Sequence, residues 1–363
     1  MSRLLRYVSL AVTLGAVAST ATAQEPGSHV GVVVPVGDGP LATPEPPIHV
    51  RDLTPAELPG GSNSAYNVLT TPESPGAWLV TADYLLWRPR LDSTDYALLD
   101  PRNDLAPQGR VRNLTYDTRS GLRVGLGYRL PGHGWDVGVT YTDLHTSGHD
   151  ALAAPPGGVL YPTLTRPGLI DTASRAAATA GLDYQVFDID FGKRFAVDPY
   201  LSLRVFGGVR LASIDVDQSV LYDGCQARLA EVRTCAGLEG AGPTAGAEAR
   251  WAVSDRLGLF GTARGGMLFA DFDGRVRETN AGGAVLNADV SDRFAGLAPF
   301  VSVGLGGSWR WRTLTLVAGY EVTHWFKATT RPVLVDDFAA GKVVRRRGDL
   351  SLDGIFLRLG AAY

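Results

Sequence analysis

The chain has 363 residues with 44 Gly, 22 Pro, 13 Tyr and 7 Trp, a net charge of -3 and a mean hydropathy of +0.02. A near-neutral chain without a basic block argues against nucleic acid as a partner. Beyond the N-terminus no apolar run approaches the roughly 18 residues of a membrane helix. This does not exclude a membrane β-barrel, because a barrel strand exposes only every second residue to lipid.

The N-terminal segment, residues 1–23, has the order of a secretory signal peptide. Arg3 and Arg6 precede an apolar core and a small-x-small cleavage site at Ala21-Thr22-Ala23, which predicts export. Residues 24–75 are rich in Pro, Gly, Ser and acidic residues. This composition predicts a disordered periplasmic leader whose role is open.

From residue 76 to residue 363 the apolar residues recur with period two. Leu122, Val124 and Leu126, for example, alternate with Arg123 and Gly125, as in a strand with one apolar face. Ten such segments can be counted, from 78–88 to the C-terminus. The pattern predicts an all-β domain, a transmembrane antiparallel up-and-down β-barrel of about ten strands.

The connections between these segments alternate in length, which is typical of outer-membrane barrels with short periplasmic turns and long external loops. An even strand number places both ends of the domain on the periplasmic side. A hairpin hidden in residues 89–118 or 146–179 would raise the count to twelve strands. The short connections lie near 131–134, 196–199, 254–256 and 312, and the other long ones at 214–240, 271–294 and 327–348.

One predicted strand, residues 181–195, changes phase. Phe187, Ile189 and Phe191 share a face, but the alternation does not continue through Val186. A phase change within a strand predicts a β-bulge.

The aromatic residues fall at the predicted strand ends, as in an interfacial girdle. Trp87 and Trp325 lie at the external ends, and strict register directs them inward, where they would cap the lumen. A soluble sandwich, the alternative, would bury some tryptophans in mid-strand. The girdle at the periplasmic ends consists of Trp78, Trp135, Trp251, Trp309, Trp311 and Tyr363.

The face opposite the apolar one carries charged residues among Gly and Thr. Unpaired buried charge is costly, so these side chains are expected to line a wet lumen or to pair across it. Eight cations and six anions, Asp83 included, give a slight anion preference. The predicted lumen-lining residues are Arg123, Arg129, Arg204, Arg210, Glu248, Arg250, Arg264, Arg310, Glu321, Arg358, Asp136, Asp188 and Asp190.

The C-terminal segment, residues 354–363, alternates down to its last residue and ends on an aromatic. Such an ending is typical of a strand that closes a barrel by pairing with the first strand, here residues 78–88. We expect Arg358 to face the lumen, and this strand to engage the barrel-assembly machinery during insertion.

Cys225 and Cys235 are the only cysteines. In an oxidising compartment they predict one disulfide that closes a short external loop. No metal site, cofactor motif or phosphate-binding loop is recognised.

Several segments together resemble the pore-forming outer-membrane proteins related to the Legionella major outer membrane protein, and the first is also similar to planctomycete-type barrel porins. The resemblance covers roughly residues 76–363 and implies a porin-like barrel in the outer membrane. It identifies no solute. The segments are Gly76–Trp87, Gly121–Tyr128 with Gly134–Val137, His145–Gly148, Phe187–Gly192, Gly208–Leu211, Gly319–Glu321 with His324–Phe326, and Leu352–Ile355.

The leading functional hypothesis is a passive pore for small hydrophilic solutes or ions, embedded in outer-membrane lipid, with oligomeric state open. The alternative is a non-conducting structural or anchor barrel, because around eight strands an interior is just filled by side chains. No enzymatic activity is expected. A barrel lipase or protease would need a Ser/His/acid set, for which His324 beside Glu321, or His145 and His149 near Ser147, are the candidates.

Overall fold

The computed structural model describes residues 76–102, 107–132, 134–339 and 341–363. The predicted signal peptide and leader, residues 1–75, lie outside the described residues. Over the described ranges, no helix is long and apolar enough to cross a membrane.

Thirteen β-strands make up the described domain, and ten of them close into one antiparallel barrel. The barrel order is β1-β13-β12-β11-β10-β9-β8-β7-β5-β4, with β4 returning to β1. The strands are β1 Ala77–Leu91, β2 Asp95–Asp100, β3 Arg110–Asn113, β4 Arg119–Arg129, β5 Trp135–Ala153, β6 Val159–Pro162, β7 Arg175–Ala196, β8 Leu201–Gly224, β9 Ala227–Ala252, β10 Leu257–Asn280, β11 Val285–Trp311, β12 Leu314–Leu334 and β13 Val343–Ala362.

The last barrel strand pairs with the first, as the C-terminal pattern predicts. The register between β1 and β13 runs from Leu79 opposite Ala362 to Leu91 opposite Leu350. Asp83 stands opposite Arg358 on this seam. The ten-stranded closed barrel is therefore confirmed.

The period-two alternation sorts side chains between the two faces of the barrel wall. On β4, Leu122, Val124 and Leu126 are exposed on the outer face, and on β13 Ile355 and Leu357 are exposed in the same way. So large a continuous apolar surface requires an apolar surrounding. We call this outer surface the lipid-facing band.

Four short turns join strands at one end of the barrel, which we call the short-turn end. In the β7–β8 turn the Asp198 carboxylate accepts hydrogen bonds from the N–H groups of Tyr200 and Leu201, at 2.6 and 2.7 Å. An Asp side chain that bonds the backbone two or three residues ahead fixes a tight turn.

The long connections at the opposite end, the long-hairpin end, are mostly strand. The expected loop at 214–240 is an almost continuous hairpin of β8 and β9. Its outward residues above the lipid-facing band are polar, for example Ser213, Asp215 and Asp217. The strands therefore continue past the band into an aqueous surrounding.

No additional hairpin enters the barrel wall, so the count is ten and not twelve in the described residues. The segments 89–118 and 146–179 instead contain β2, β3 and β6, which form a separate three-stranded sheet in the order β3-β2-β6.

The predicted bulge near Val186 is wrong. The β7 ladders to β5 and β8 run through Val186 without a register shift. The apolar phase changes because Leu182, Tyr184 and Val186 face inward into a dry core, whereas Phe187 and Ile189 belong to the lipid-facing band.

The predicted disulfide between Cys225 and Cys235 is also wrong, because both cysteines are free. Cys225 lies at the tip of the β8–β9 hairpin, whereas Cys235 pairs with Asp217 well down β9. Eight residues of strand beyond Ala227, at about 3.3 Å per residue, separate the two by roughly 26 Å. A disulfide requires Cα atoms within about 7 Å.

Candidate functional site

The barrel interior holds the candidate functional site, and all thirteen residues predicted to line the lumen lie there. They line two cavities, one of about 410 Å³ at the short-turn end and one of about 250 Å³ above it. Glu248, Arg250 and Arg358 line both cavities. The structure thus places the predicted residues in one interior space, while their role in permeation stays a prediction.

One ion-pair cluster is centred on Asp83, whose side chain is only 1% exposed. The carboxylate accepts two hydrogen bonds of 2.8 Å from Arg358 on the neighbouring strand. It also accepts one of 3.3 Å from Arg123, which in turn donates to Glu321 at 3.0 and 3.2 Å. Because β4 and β12 stand three places apart in the barrel order, Arg123 links distant parts of the wall.

A second cluster forms around Asp188. Arg210 donates to its two carboxylate oxygens at 2.7 and 2.9 Å, and Arg264 approaches Asp188 at 2.9 Å while also pairing with Asp190. Such bidentate contacts are the geometry in which an arginine offsets the desolvation of a buried carboxylate. The middle of the lumen is therefore a layer of matched charges.

Above the charged layer, aromatic side chains span the whole barrel. Tyr184 on β7 and Trp325 on β12 lie on diametrically opposite strands, five places apart in the order, yet their ring centroids are 6.3 Å apart. Trp87 reaches Tyr184 from β1 at 6.1 Å, and Phe300 stacks near Trp325 at 4.8 Å. We call Trp87, Tyr184, Phe300 and Trp325 the aromatic layer.

The aromatic layer closes the lumen. Trp87 and Trp325 are 1% and 0% exposed, and Leu85, Leu144 and Leu268 around them are each 0% exposed. An interior packed so tightly leaves no passage for water. The sequence directed Trp87 and Trp325 inward, but it did not identify Tyr184 or Phe300, whose inward orientation depends on the register of their strands.

The upper part of the β12–β13 hairpin adds a second closure. The ladder between β11 and β12 ends at Phe300 opposite Trp325, and a register shift follows between Trp325 and Thr329. Lys327 has a φ of +55° at this point. Beyond this point the hairpin, described over residues 328–339 and 341–348, leaves the barrel wall, and we call it the plug hairpin.

The plug hairpin crosses the interior and packs on the opposite wall. Arg331 donates a 3.1 Å hydrogen bond to Gln218 on β8, four places away in the barrel order. A Cβ at Gly274 on β10 would lie 2.7 Å from the Thr330 carbonyl oxygen and 3.0 Å from Pro332 Cδ. Glycine at residue 274 is thus what allows the backbone of the plug to approach the wall.

The departure of the plug leaves β11 with one unpaired side. Among the described strands, residues 285–299 of β11 pair only with β10. An unpaired strand edge exposes a row of backbone N–H and C=O groups that can accept another strand. The segment that would continue the ladder along this edge is the plug hairpin itself.

The predicted girdle residues lie on the outer face near the short-turn end. Trp78, Trp251 and Trp311 are 53%, 55% and 54% exposed and Tyr363 is 77% exposed. Trp309 is also exposed, and Trp135 stacks on Phe191 with ring centroids 4.7 Å apart. These positions fit an aromatic belt, whose membrane role stays a prediction.

The histidines considered for catalysis lie on the outer wall and not in the lumen. His324 contacts Ser351 Oγ at 2.7 Å and Asp349 at 3.6 Å, whereas Glu321 faces the lumen, so the pairing of His324 with Glu321 is wrong. His145 contacts Asp183 and Asp143 at 2.5 and 3.3 Å. Cross-strand neighbours on one sheet face meet at such distances without any catalytic role.

Comparison with known proteins gives one family and a common fold. Residues 70–362 match a family model described as the Legionella pneumophila major outer membrane protein precursor, and no curated protein matches the chain. The likeness to planctomycete-type barrels stays a prediction.

Several solved structures are similar in fold. The outer membrane protease OmpT from Escherichia coli is 10% identical with a TM-score of 0.46, over 79% of this chain and 96% of that chain. The toluene transporter TodX from Pseudomonas putida is 10% identical with a TM-score of 0.34, over 82% and 93%. Ail of Yersinia pestis is 9% identical with a TM-score of 0.25, over 80% and 99%. At these values the likenesses carry no argument about function.

Proposed function

Because the chain belongs to the family of the Legionella pneumophila major outer membrane protein, and is an outer-membrane β-barrel, we propose that it is a passive pore that the plug hairpin gates. The short-turn end then faces the periplasm and the long-hairpin end the exterior. The solutes are ions or small hydrophilic molecules, since a barrel of ten strands is only slightly wider than one filled by its own side chains.

The observation that carries the proposal is that, in the described part of the chain, both the plug hairpin and the barrel wall next to it contain polar groups without hydrogen-bond partners. The plug leaves the edge of β11 unpaired over residues 285–299. Within the plug, Thr330 Oγ1 and Arg331 Nε are buried without a hydrogen-bond partner among the described residues. Each such group costs free energy, which favours a plug that can leave the interior and extend the β11 ladder.

Planar-bilayer recording of the refolded protein tests this gate. The decisive variant joins Phe326 to Asp349 through an Asn-Gly turn and so removes residues 327–348. The matched control replaces residues 281–284, the β10–β11 turn, with the same Asn-Gly turn. We expect brief, rare openings from the wild type and the control, and long openings from the variant without the plug, in which displacement of the aromatic layer is the one step still needed for an opening.

Three outcomes decide the matter. Steady conduction by the wild type equal to that of the variant would show that the plug is no gate. Absence of channel steps from every folded protein, including Trp325→Ala in the plug-free background, would refute the pore. Long openings only from the variant would support the proposal. Heat-modifiable migration on a gel shows that each protein has folded.

A non-conducting structural barrel is the second candidate, and the aromatic layer favours it. Trp87, Tyr184 and Phe300 lie outside the plug hairpin, and they close the lumen together with Trp325 at its base. If the plug-free variant is silent, Trp325→Ala in that background separates the two candidates, because an opened aromatic layer that still does not conduct leaves only the structural role.

We further propose that β13 engages the barrel-assembly machinery during insertion. It pairs with β1 from Leu350 to Ala362, so the barrel wall cannot close before this strand is in place. No catalytic step belongs to the proposed function.

A further inference from the structure

The cavity at the periplasmic end carries a large excess of positive charge. We call this cavity of about 410 Å³ the vestibule. Its acidic lining residues are Glu248 and Asp255. Against these two it is lined by seven arginines, namely Arg129, Arg194, Arg250, Arg310 and Arg358 on the strands and Arg256 and Arg312 on the turns.

This excess is larger at the periplasmic end of the lumen than in the layer above. In the layer above, Asp83, Asp188 and Glu321 each pair with arginines at hydrogen-bond distance. In the vestibule, Glu248 pairs with Arg250, and the Arg358 guanidinium is directed to Asp83. With Arg250 paired to Glu248 and Arg358 paired to Asp83, the other five lining arginines face Asp255 as the one remaining acid of the lining, so the field in the cavity attracts anions.

Arg194 is one of the arginines that line the vestibule. It lies near the periplasmic end of β7 and lines both interior cavities. Among the described residues its guanidinium makes no ion pair or side-chain hydrogen bond; Arg250 and Arg129 are near enough to repel it, and Glu248 and Asp136 attract it less strongly. A guanidinium close to two others is stabilised by an anion that bridges them.

The walls strengthen this attraction. Leu79, Phe260 and Val317 contribute apolar surface to the same cavity. A low-dielectric wall focuses the field of the charges that it holds, so an anion gains more there than at an open surface.

We propose that the vestibule binds a soluble, multiply charged oxyanion of the phosphate class that enters from the periplasm. Arginine forks match the oxygens of phosphate bidentately, and a polyanion gains more from several arginines than a monoanion does. The inference deepens the proposed function, because it names a solute class for the same lumen. Binding does not require the gate to open.

Equilibrium dialysis of the full mature chain, folded in neutral detergent, against labelled inorganic pyrophosphate tests the inference. We expect saturable binding that weakens as salt screens the vestibule. Arg194→Gln should weaken binding by about tenfold or more, and acetate should compete poorly. The matched control is Arg275→Gln, which breaks a surface pair with Asp289 and should leave binding unchanged.

The result is decided by the variants. Absence of saturable binding, equal binding by Arg194→Gln and the wild type, or efficient competition by acetate would each overturn the proposal. If Arg194→Gln does not fold, Arg312→Gln on the β11–β12 turn takes its place and should also weaken binding. Phosphate lipids in added micelles should not compete, because the site opens to the aqueous mouth. Pyrophosphate binding without channel activity would refute the pore and leave the vestibule intact.

Discussion

Removal of the charge at Asp83 should destabilise the barrel strongly. The Asp83 side chain is 1% exposed and accepts two hydrogen bonds of 2.8 Å from Arg358 and one from Arg123. Asp83→Asn keeps the shape but leaves the Arg358 guanidinium without its counter-ion. Breaking one partner of a buried pair costs roughly 3–5 kcal/mol.

The lower end of that range applies here. Arg123 keeps Glu321, to which it donates at 3.0 and 3.2 Å, and the Arg358 side chain is 28% exposed. We therefore expect Asp83→Asn to lower the free energy of unfolding by about 3 kcal/mol. The measurement is denaturant unfolding in phospholipid vesicles, followed by tryptophan fluorescence.

Asp289→Asn is the matched control, since Asp289 also receives a bidentate arginine, Arg275, at 2.9 and 2.7 Å. That pair lies on the external surface, where ion pairs contribute little, so no measurable change is expected. A double variant of Asp83→Asn and Arg358→Gln should lose less than the sum of its single variants. Equal effects of Asp83→Asn and Asp289→Asn would refute the reasoning.

Further predictions concern the external strands and the seam. Burial raises the pKa of the Glu278 carboxyl. Its contribution to stability is therefore present below the pKa of about 4.3 that a glutamate has in the unfolded chain, and is lost as the pH rises through the higher pKa of the folded protein. Glu278→Gln should accordingly raise the urea midpoint near neutral pH but not at lower pH. Both cysteines should react as free thiols. Cys225 should be labelled rapidly by an impermeant maleimide on intact cells, and Cys235 slowly, because partial burial and the neighbouring Asp217 raise the pKa of its thiol to about 11. A gel shift on reduction would contradict this. Gly354→Ala should reduce the heat-modifiable fraction, since its Cβ would lie 2.1 Å from the Leu86 carbonyl oxygen, whereas Gly181→Ala meets no atom within 4 Å.

The barrel itself was predictable because its alternation is imposed by lipid. Leu122, Val124 and Leu126 must face outward, and this fixes Arg123 and Gly125 inward without any knowledge of neighbouring strands. The same rule predicted that β13 pairs with β1, because the alternation continues to Tyr363. Local pattern and global closure agree at these positions.

The predictions of a bulge, of long loops and of a disulfide were wrong because they concern strand segments that lie outside the lipid-facing band. Beyond the lipid-facing band the outer face of β7 becomes polar and its inner face apolar, so the pattern inverts at Val186 without any bulge. Because outward residues such as Asp215 and Asp217 are polar, the sequence pattern predicted loops where the structure has long hairpins. The disulfide prediction followed from that error, because a loop would have allowed Cys225 and Cys235 to meet.

The plug hairpin could not be predicted, because its position depends on contacts between distant strands. Nothing near Arg331 in the chain indicates that it reaches Gln218 on β8. The local sign is the positive φ of Lys327, a non-Gly residue that lies between paired segments of a strand, at the point where the hairpin leaves the wall.

The vertical order of the interior has a functional consequence. The dry aromatic layer separates the exterior from the paired charges of the mid-lumen, and the vestibule below them holds the excess of arginine. In the proposed orientation, an anion from the periplasm would reach Arg194 before it meets any closure, whereas a solute from the exterior would first meet the plug hairpin. In the proposed pore, opening therefore requires displacement of both the plug hairpin and the aromatic layer, and an anion held by the vestibule arginines would be the first solute to pass.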